Sequence, residues 1–154
     1  MKKEADLSRK ALEYAFLLLK YRLRSENEIR LRMKNKKFSQ EVIDKTVLFL
    51  KEKRFIDDNI FAKAWVDSRI KRPLGLRRIE QELKLKGVDK EVIQAQVARV
   101  KKDYAEEDIV KGIVQSRLKR LKAKDAQEIK RKMYAYLIRR GFSPEVVYDA
   151  VVEL

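Results

Sequence analysis

Ser39-Gln40-Glu41-Val42-Ile43, Asp89-Lys90-Glu91-Val92-Ile93 and Ser143-Pro144-Glu145-Val146-Val147 decide the fold of this 154-residue chain. Each segment begins with a residue whose side chain can cap a helix, places Glu in the first turn and continues with two apolar residues. Pro144 stands at the first helical position, where a helix does not use its amide hydrogen. The three segments therefore predict three equivalent helix starts and an internal repeat.

Apolar residues continue the repeat beyond these starts. They recur at spacings that place them on one face of a helix in each copy. The twelve positions are Val42, Ile43, Val47, Leu50, Val92, Ile93, Val97, Val100, Val146, Val147, Val151 and Leu154. A chain with 41% charged residues does not produce such a match easily by chance.

A second helix precedes each of these starts and ends at a short basic turn. The three turns are Lys36-Lys37, Lys86-Gly87 and Arg140-Gly141. They lie 50 residues apart (37 to 87) and then 54 residues apart (87 to 141). Four extra residues are about one helical turn, so we expect this helix to be one turn longer in the third copy. Ser25 with Glu28 and Asp125 with Glu128 have the spacing of a capping box at its start.

Another helix opens each copy. Its predicted apolar positions are Leu12, Ala15, Phe16 and Leu19; then Phe61, Ala62, Trp65 and Val66; then Ile109, Ile113 and Val114. Asp57 and Asp58 precede the second of these helices, where their expected role is capping. We predict an all-α fold with a tail at 1–6 and three-helix repeats at 7–55, 56–104 and 105–154. Stacked repeats predict an elongated, curved superhelical array.

The composition excludes several classes of function. The chain has no Cys and no His, which removes disulfides, Cys/His metal sites and imidazole-based catalysis. We predict no catalytic residue, no metal and no cofactor, and the alternative of an enzyme using carboxylates and lysines is the minority interpretation. No apolar run has the length of a membrane span, and the charged opening has no signal-type segment, so we expect a cytoplasmic protein.

The formal charge of +15 is concentrated where the first helix of each copy meets the second. These basic junctions are residues 20–24, 69–78 and 117–124; their 23 positions hold 13 of the 39 basic residues and no acid. Cations that complement a helix dipole are the simpler explanation, and a polyanionic partner is the alternative that we favour. The predicted binding residues, which include a second basic face in the first copy, are Arg22, Arg24, Arg30, Lys34, Lys71, Arg72, Arg77, Arg78, Lys119, Arg120, Lys122 and Lys124.

Tyr134 and Tyr136 lie beside Arg131 and Lys132 in the third copy. Such aromatic residues can stack on nucleic-acid bases. Packing inside the repeat is the alternative, and it is the one that we favour for both tyrosines.

The order of several motifs resembles the RecX family. In the second copy they are Phe55-Ile56-Asp57-Asp58, Phe61-Ala62, Gly75, Arg78-Ile79, Glu82-Leu83 and Lys86-Gly87-Val88. The first copy adds Ala11-Leu12, Arg24-Ser25 and Glu28-Ile29, and the third adds Arg139-Arg140-Gly141-Phe142-Ser143. The resemblance covers nearly the whole chain, and Lys36-Lys37 departs from the glycine turns of the later copies.

The resemblance implies three tandem three-helix repeats and a bacterial regulator of the RecA recombinase. It implies binding to the RecA filament on single-stranded DNA and inhibition of filament extension, ATP hydrolysis, strand exchange and the coprotease activity that induces the SOS response. Asp58 is expected as a cap, Phe61 and Leu83 as core and Gly87 as a helix stop. We expect a monomer. The alternative is a general nucleic-acid-binding protein that binds single- or double-stranded DNA directly and has no RecA specificity.

Overall fold

The computed structural model describes residues 1–122 and 125–154, and every regular element in them is an α-helix. The predicted all-α class, with three helices in each copy, is confirmed. The helices are α1 (Lys2–Tyr21), α2 (Glu26–Asn35), α3 (Gln40–Glu52), α4 (Asp58–Arg69), α5 (Leu76–Leu85), α6 (Lys90–Lys101), α7 (Glu106–Leu118), α8 (Ala126–Arg139) and α9 (Pro144–Val152).

The predicted helix starts are confirmed by their backbone contacts. The Ser25 hydroxyl accepts from the Glu28 amide, and the Glu28 carboxylate accepts from the Ser25 amide, which completes the capping box. The Ser39 and Asp125 side chains cap α3 and α8 by accepting from the Val42 and Glu128 amides. Pro144 is the first residue of α9, but the Ser143 side chain makes no capping hydrogen bond, so its predicted capping role is wrong. Helix α8 has 14 residues where α2 and α5 have 10, so the extra turn of the third copy is present.

The core follows the predicted apolar face. Eight of the twelve repeated positions are buried; the other four, Val42, Val92, Val146 and Leu154, are half-buried. One cluster joins α1, α2 and α3 around Ile29, Met33 and Leu50. A second joins α7, α8 and α9 around Met133, Leu137 and Phe142.

The apolar face of α1 differs from its prediction. Its buried positions are Ala11, Ala15 and Leu18, whereas Phe16 is 36% exposed. The Phe16 ring instead meets the Phe55 ring edge-on, with 4.8 Å between their centroids. Because α1 begins at Lys2, the segment 1–6 that was predicted as a tail is helical over nearly all its length.

Two compact units make up the described chain, and the second copy contributes to both. The first unit contains Met1–Ala64 and Leu83–Ile93, and the second contains Trp65–Glu82 and Gln94–Leu154. Within each unit, two neighbouring copies meet at one contact region, which we call a joint. The first joint comprises Ser25, Glu26, Asp58, Lys86 and Gly87; the second comprises Gly75, Leu76, Glu106, Arg140 and Gly141.

In the first joint, the start of α2 contacts the turn after α5. The Ser25 hydroxyl donates to the Lys86 carbonyl over 2.6 Å, and the Glu26 amide donates to the Asp58 carboxylate over 2.9 Å. Asp57, not Asp58, caps α4, because its carboxylate accepts from the Asn59 amide over 2.8 Å. The expectation that Asp58 caps its own helix is therefore wrong: Asp58 caps α2 from the next copy.

In the second joint, the start of α5 contacts the turn after α8 in the same manner. The Gly75 amide donates to the Arg140 carbonyl over 2.9 Å, and the Leu76 amide donates to the Glu106 carboxylate over 2.7 Å. Gly75 and Gly141 approach so closely that a Cβ at Gly75 would lie 2.0 Å from the Gly141 carbonyl carbon. The copies therefore dock by one rule that uses different residues in each joint.

The three turns share a left-handed residue. Lys37, Gly87 and Gly141 have φ values of 69°, 72° and 85°. Gly87 faces Asn27 and Gly141 faces Arg78, each at less than 2.7 Å from an added Cβ. Lys37 is exposed. The turn of the first copy is therefore the same as the others, and its lysine replaces glycine where a side chain has room.

Candidate polyanion interface

The first basic junction is partly neutralised from within the first unit. Arg22 is exposed and makes two hydrogen bonds to the Glu28 carboxylate, at 2.8 and 3.1 Å. Those bonds raise the Arg22 pKa. Arg24 donates to the Leu18 carbonyl over 3.1 Å, and burial together with the neighbouring Arg22 lowers its pKa. Of the two predicted binding residues in this junction, Arg24 is the one without a carboxylate partner among the described residues.

Glu28 is the centre of this network. Burial opposes its ionisation, but hydrogen bonds from Arg22, from Lys86 and from the Ser25 amide outweigh that effect and lower its pKa to about 2. The Lys86 ammonium is 2.9 Å from the Glu28 carboxylate. Glu28 therefore ties α2, the first basic junction and the turn at Lys86 together inside the first unit.

The second basic face of the first copy has two predicted binding residues, Arg30 and Lys34, and they differ in their ion pairs. Arg30 contacts Glu26 over 3.0 Å and Asp44 over 2.6 Å, so it belongs to an ion-pair network. Lys34 is exposed and makes no ion pair with the described residues. Within residues 1–122 and 125–154, Lys34 is therefore the member of this pair whose charge no carboxylate compensates.

The second basic junction is neutralised at its two ends by Glu82. Arg69 donates to the Glu82 carboxylate over 2.7 Å and Arg78 donates to it over 3.3 Å. The Trp65 indole also donates to Glu82, over 3.0 Å, while the Arg69 guanidinium stacks on the Trp65 ring. Three basic residues between these ends are exposed and have no acid within ion-pair distance in the part of the chain that the structure describes: Lys71, Arg72 and Arg77.

The third basic junction keeps its charge. Lys119, Arg120 and Lys122 are exposed, and no carboxylate of residues 1–122 or 125–154 pairs with them. Lys124 lies outside the described residues. Taken together, the basic junctions contain no acid of their own, but Glu28 and Glu82 supply one from outside them. Arg22, Arg69 and Arg78 are therefore compensated by carboxylates that lie outside the junctions.

Arg117, Arg140 and Tyr136 form a cluster that the sequence analysis did not predict. The Arg117 guanidinium carbon lies 3.8 Å from the centroid of the Tyr136 ring, and that of Arg140 lies 5.0 Å from it. Packing inside the repeat, which we favoured for both tyrosines, describes Tyr136, because that residue is half-buried. Tyr134 is 39% exposed. The signal that could have revealed the cluster is the 54-residue offset between the second and third copies. That offset aligns Tyr136 of the third copy with Glu82 of the second.

Two features are absent from residues 1–122 and 125–154. No group of three or more Asp and Glu side chains there could hold a metal ion. None of the helices there is long and apolar enough to cross a membrane.

Three segments of the chain match family models. Residues 11–50 match "RecX, first three-helix domain", residues 57–95 match the second and residues 105–151 match the third. Among curated relatives, "Regulatory protein RecX" of a Mycobacterium species (strain JLS) is 34% identical over 98% of this chain and 85% of its own length. This chain belongs to the RecX family.

Other RecX proteins agree with that assignment. The protein from Finegoldia magna is 33% identical over 88% of this chain and 67% of its own length, and that from Clostridium beijerinckii is 29% identical over 96% and 70%. The crystal structure of RecX from Lactobacillus salivarius superposes with a TM-score of 0.81 at 19% identity, covering 97% of this chain and 96% of the other. A "crystal structure of regulatory protein RecX" gives 0.84 at 22% identity, covering 97% and 73%. The two superpositions show the same fold.

Proposed function

We propose that this RecX-family chain regulates RecA by binding the RecA filament on single-stranded DNA. In this proposal binding inhibits filament extension, ATP hydrolysis, strand exchange and the coprotease activity that induces the SOS response. The chain acts by binding alone, as a monomer in the cytoplasm, and uses no cofactor. The observation that supports the proposal best is family membership together with basic residues that no carboxylate of the described chain compensates.

Uncompensated charge marks the residues that are free to meet a polyanion. An arginine already held by two carboxylate oxygens must lose that pair before it can bind a phosphate. Arg22 and Arg30 are held in this way, and Arg78 is held by one oxygen of Glu82, so all three are secondary in the proposed interface. The proposed primary contacts are Arg24, Lys34, Lys71, Arg72, Arg77, Lys119, Arg120 and Lys122. Lys124 joins them on sequence grounds alone.

A titration of RecA ATPase activity tests the proposal. RecA on single-stranded DNA is mixed with this chain at concentrations well below that of RecA, at physiological salt. We expect inhibition at substoichiometric amounts, since one bound regulator affects a whole filament. Inhibition only when the chain is sufficient to cover the DNA would contradict the proposal, because competition for bare DNA would explain it.

A charge-reversal variant tests the proposed residues. Lys71→Glu, Arg77→Glu and Lys119→Glu together remove three uncompensated cations, and we expect at least a tenfold loss of inhibitory potency. The matched control is Lys90→Glu, Lys101→Glu and Lys102→Glu, three exposed lysines outside the basic junctions with the same total change of charge. Equal losses in the two variants would show that only net charge matters.

The alternative function is general nucleic-acid binding without RecA specificity. The net charge of +15 favours it, since cations that neutralise phosphates release counterions and give binding that weakens steeply with salt. Binding of a bare oligonucleotide that fully accounts for the ATPase effect across a salt series would support this alternative.

A further inference from the structure

Equivalent arginines in the second and third copies have different partners. Arg69 ends α4 and Arg117 lies in the last turn of α7, at the same distance beyond the buried Val66 and Val114. Arg69 is held by the Glu82 carboxylate. The offset of 54 residues puts Tyr136 in the place of Glu82, so the third copy has an aromatic ring where the second has an acid.

The replacement leaves a buried donor without an acceptor. Arg117 Nε is enclosed and has no hydrogen-bond partner among the described residues, although its guanidinium stacks on Tyr136. A buried donor without a partner is rare in folded proteins and costs free energy, more so when it belongs to a charged group. In the second copy the equivalent Arg69 Nε donates to Glu82 over 2.7 Å. The described residues of the third copy therefore lack the acceptor that Glu82 supplies in the second.

An open cavity lined in part by Arg117 lies inside the second unit. Its volume is about 340 Å³, and its wall includes Arg117, Arg120 and Arg140 together with Ser116 and Tyr136. No carboxylate of the described residues lines it. Gly112 also faces the cavity, and a Cβ there would meet no other atom within 4 Å. Three guanidinium groups thus surround a space that holds no negative charge from the chain itself.

The arrangement fits a phosphate better than a carboxylate. A carboxylate has two oxygens in one plane and is satisfied by one guanidinium fork, as Glu82 shows with Arg69. A phosphate presents oxygens in several directions and can accept from separate arginines. The volume falls at the lower end of the range of about 300–1,000 Å³ that is usual for ligand pockets, which leaves room for a sugar beside the phosphate.

We propose that the cavity walled by Arg117, Arg120 and Arg140 binds a backbone phosphate of single-stranded DNA. Arg117 supplies the buried donor and Arg120 the exposed one. Arg140, which also donates to the Pro73 carbonyl over 3.0 Å, closes the far side. The site rests on the proposed function and deepens it, because it would hold the DNA of the filament. It also distinguishes the third copy from the second, in which Glu82 already occupies the equivalent arginine.

The decisive variant is Arg117→Leu. The first copy already has Leu18 at the equivalent position, buried at the same end of its first helix, so leucine suits the repeat. Binding of a fluorescent oligo(dT) is measured by anisotropy at several salt concentrations. We expect affinity to fall about tenfold, as for a lost hydrogen bond between charged groups. We also expect the slope of log K against log salt to become shallower by about 0.7, the value for one phosphate of a single strand.

Lys111→Leu is the matched control, since it removes one cation from the exposed face of the same helix without touching the cavity wall. It should leave affinity within about twofold. Thermal unfolding of both variants gives the readout that a structural role would change: if Arg117 serves only by stacking on Tyr136, Arg117→Leu lowers the Tm and leaves oligo(dT) affinity unchanged, which overturns the proposal.

Two further outcomes are decisive. If the unaltered chain shows no binding to oligo(dT) even at low salt, the proposal is overturned, whatever its effect on RecA. If Arg117→Leu loses binding to a poly-glutamate peptide and keeps oligo(dT) affinity, the cavity takes carboxylates and the proposal is again wrong. Loss of oligo(dT) affinity supports the cavity even where RecA ATPase inhibition persists, so the failure of one proposal is distinguishable from the failure of the other.

Discussion

The two joints share one docking pattern but differ in the residue that contacts the turn of the next copy. In both, an amide at the start of the second helix donates to a carboxylate from the next copy: Glu26 to Asp58 in the first, Leu76 to Glu106 in the second. In both, the residue before that amide contacts the turn of the next copy. That residue is Ser25 in the first joint, with a buried hydroxyl, and Gly75 in the second, with no side chain.

The difference lies in how closely the backbones approach. The first joint holds its turn through the Ser25 hydroxyl and through Glu28, which bonds to Lys86. The second joint has Arg78 in the place of Glu28 and brings Gly75 directly against Gly141. We expect the first joint to depend on polar side chains and on pH in addition to Gly87, and the second joint to depend most on the absence of a Cβ at Gly75. Four changes test this distinction.

Gly75→Ala should have the largest effect. Its Cβ would lie 2.0 Å from the carbonyl carbon and oxygen of Gly141, and backbone atoms cannot move aside cheaply. We expect a loss of about 3 kcal/mol in the free energy of unfolding, measured by urea denaturation followed by circular dichroism.

Gly112→Ala is the control for that change. Gly112 lies inside α7, and its added Cβ meets nothing. Alanine is favoured over glycine in a helix interior, so a gain of about 0.5–1 kcal/mol is expected. A loss below about 1 kcal/mol for Gly75→Ala would show that the second joint is not close-packed.

Glu28→Gln should have the next largest effect, and the effect should depend on pH. The folded-state pKa of about 2 lies below the ordinary value of 4.5, so the ionised carboxylate stabilises the fold fully above pH 4.5. That contribution is lost as the pH falls through about 2. We expect a cost on the order of 2 kcal/mol at pH 7, which shrinks between pH 4.5 and 2.

The measurement for Glu28→Gln is the free energy of unfolding across that pH range, compared with the unaltered chain. Glu41→Gln is the control, because Glu41 is fully exposed and pairs only with Lys45 among the described residues. A difference between Glu28→Gln and the unaltered chain that stays constant down to pH 2 would mean that the carboxylate charge does not hold the first joint.

Ser25→Ala removes the cap of α2 and the bond to the Lys86 carbonyl at once. Ser39→Ala removes a cap of the same kind from α3 at a position outside both joints. We expect about 2 kcal/mol for Ser25→Ala and about 1 kcal/mol or less for Ser39→Ala, as measured by denaturant unfolding. Equal losses of unfolding free energy in the two variants would show that the Ser25 hydroxyl does not stabilise the joint and acts only as the cap of α2.

Lys37→Gly should change the free energy of unfolding least, and we expect it to stabilise the fold. Lys37 holds a φ of 69°, which costs a side-chain-bearing residue free energy that glycine avoids. The greater freedom of glycine in the unfolded chain offsets part of this gain, so we expect about 0.5–1 kcal/mol. The reverse change, Gly87→Lys, should be strongly destabilising, because Asn27 of the first joint leaves no room for a side chain. Similar effects at the two turns would contradict the account of why only the first turn tolerates lysine.

The candidate site was predictable only in part. The clustering of basic residues is visible in the sequence, and so are the exposed Lys71, Arg72, Arg77, Lys119, Arg120 and Lys122. The carboxylate partners of the basic residues could not be predicted, because they are distant in the sequence. Glu82 lies 13 positions from Arg69, and Glu28 lies 58 positions from Lys86. The cavity beside Arg117 was missed for the same reason: its wall combines Pro73, Ile109, Tyr136 and Arg140.

The sequence by itself determined the helices, the caps at Ser25, Ser39 and Asp125, the three copies and the extra turn of α8, because these depend on hydrogen bonds and side-chain spacing within a few residues. It determined the left-handed turns too, through glycine at two of three equivalent positions. Only the tertiary structure decided that Asp58 caps a helix of the preceding copy, that Glu28 and Glu82 neutralise part of the basic junctions, and that Gly75 must lack a Cβ. Those features arise where residues of different copies meet, and spacing along one helix does not encode which residues will face each other there.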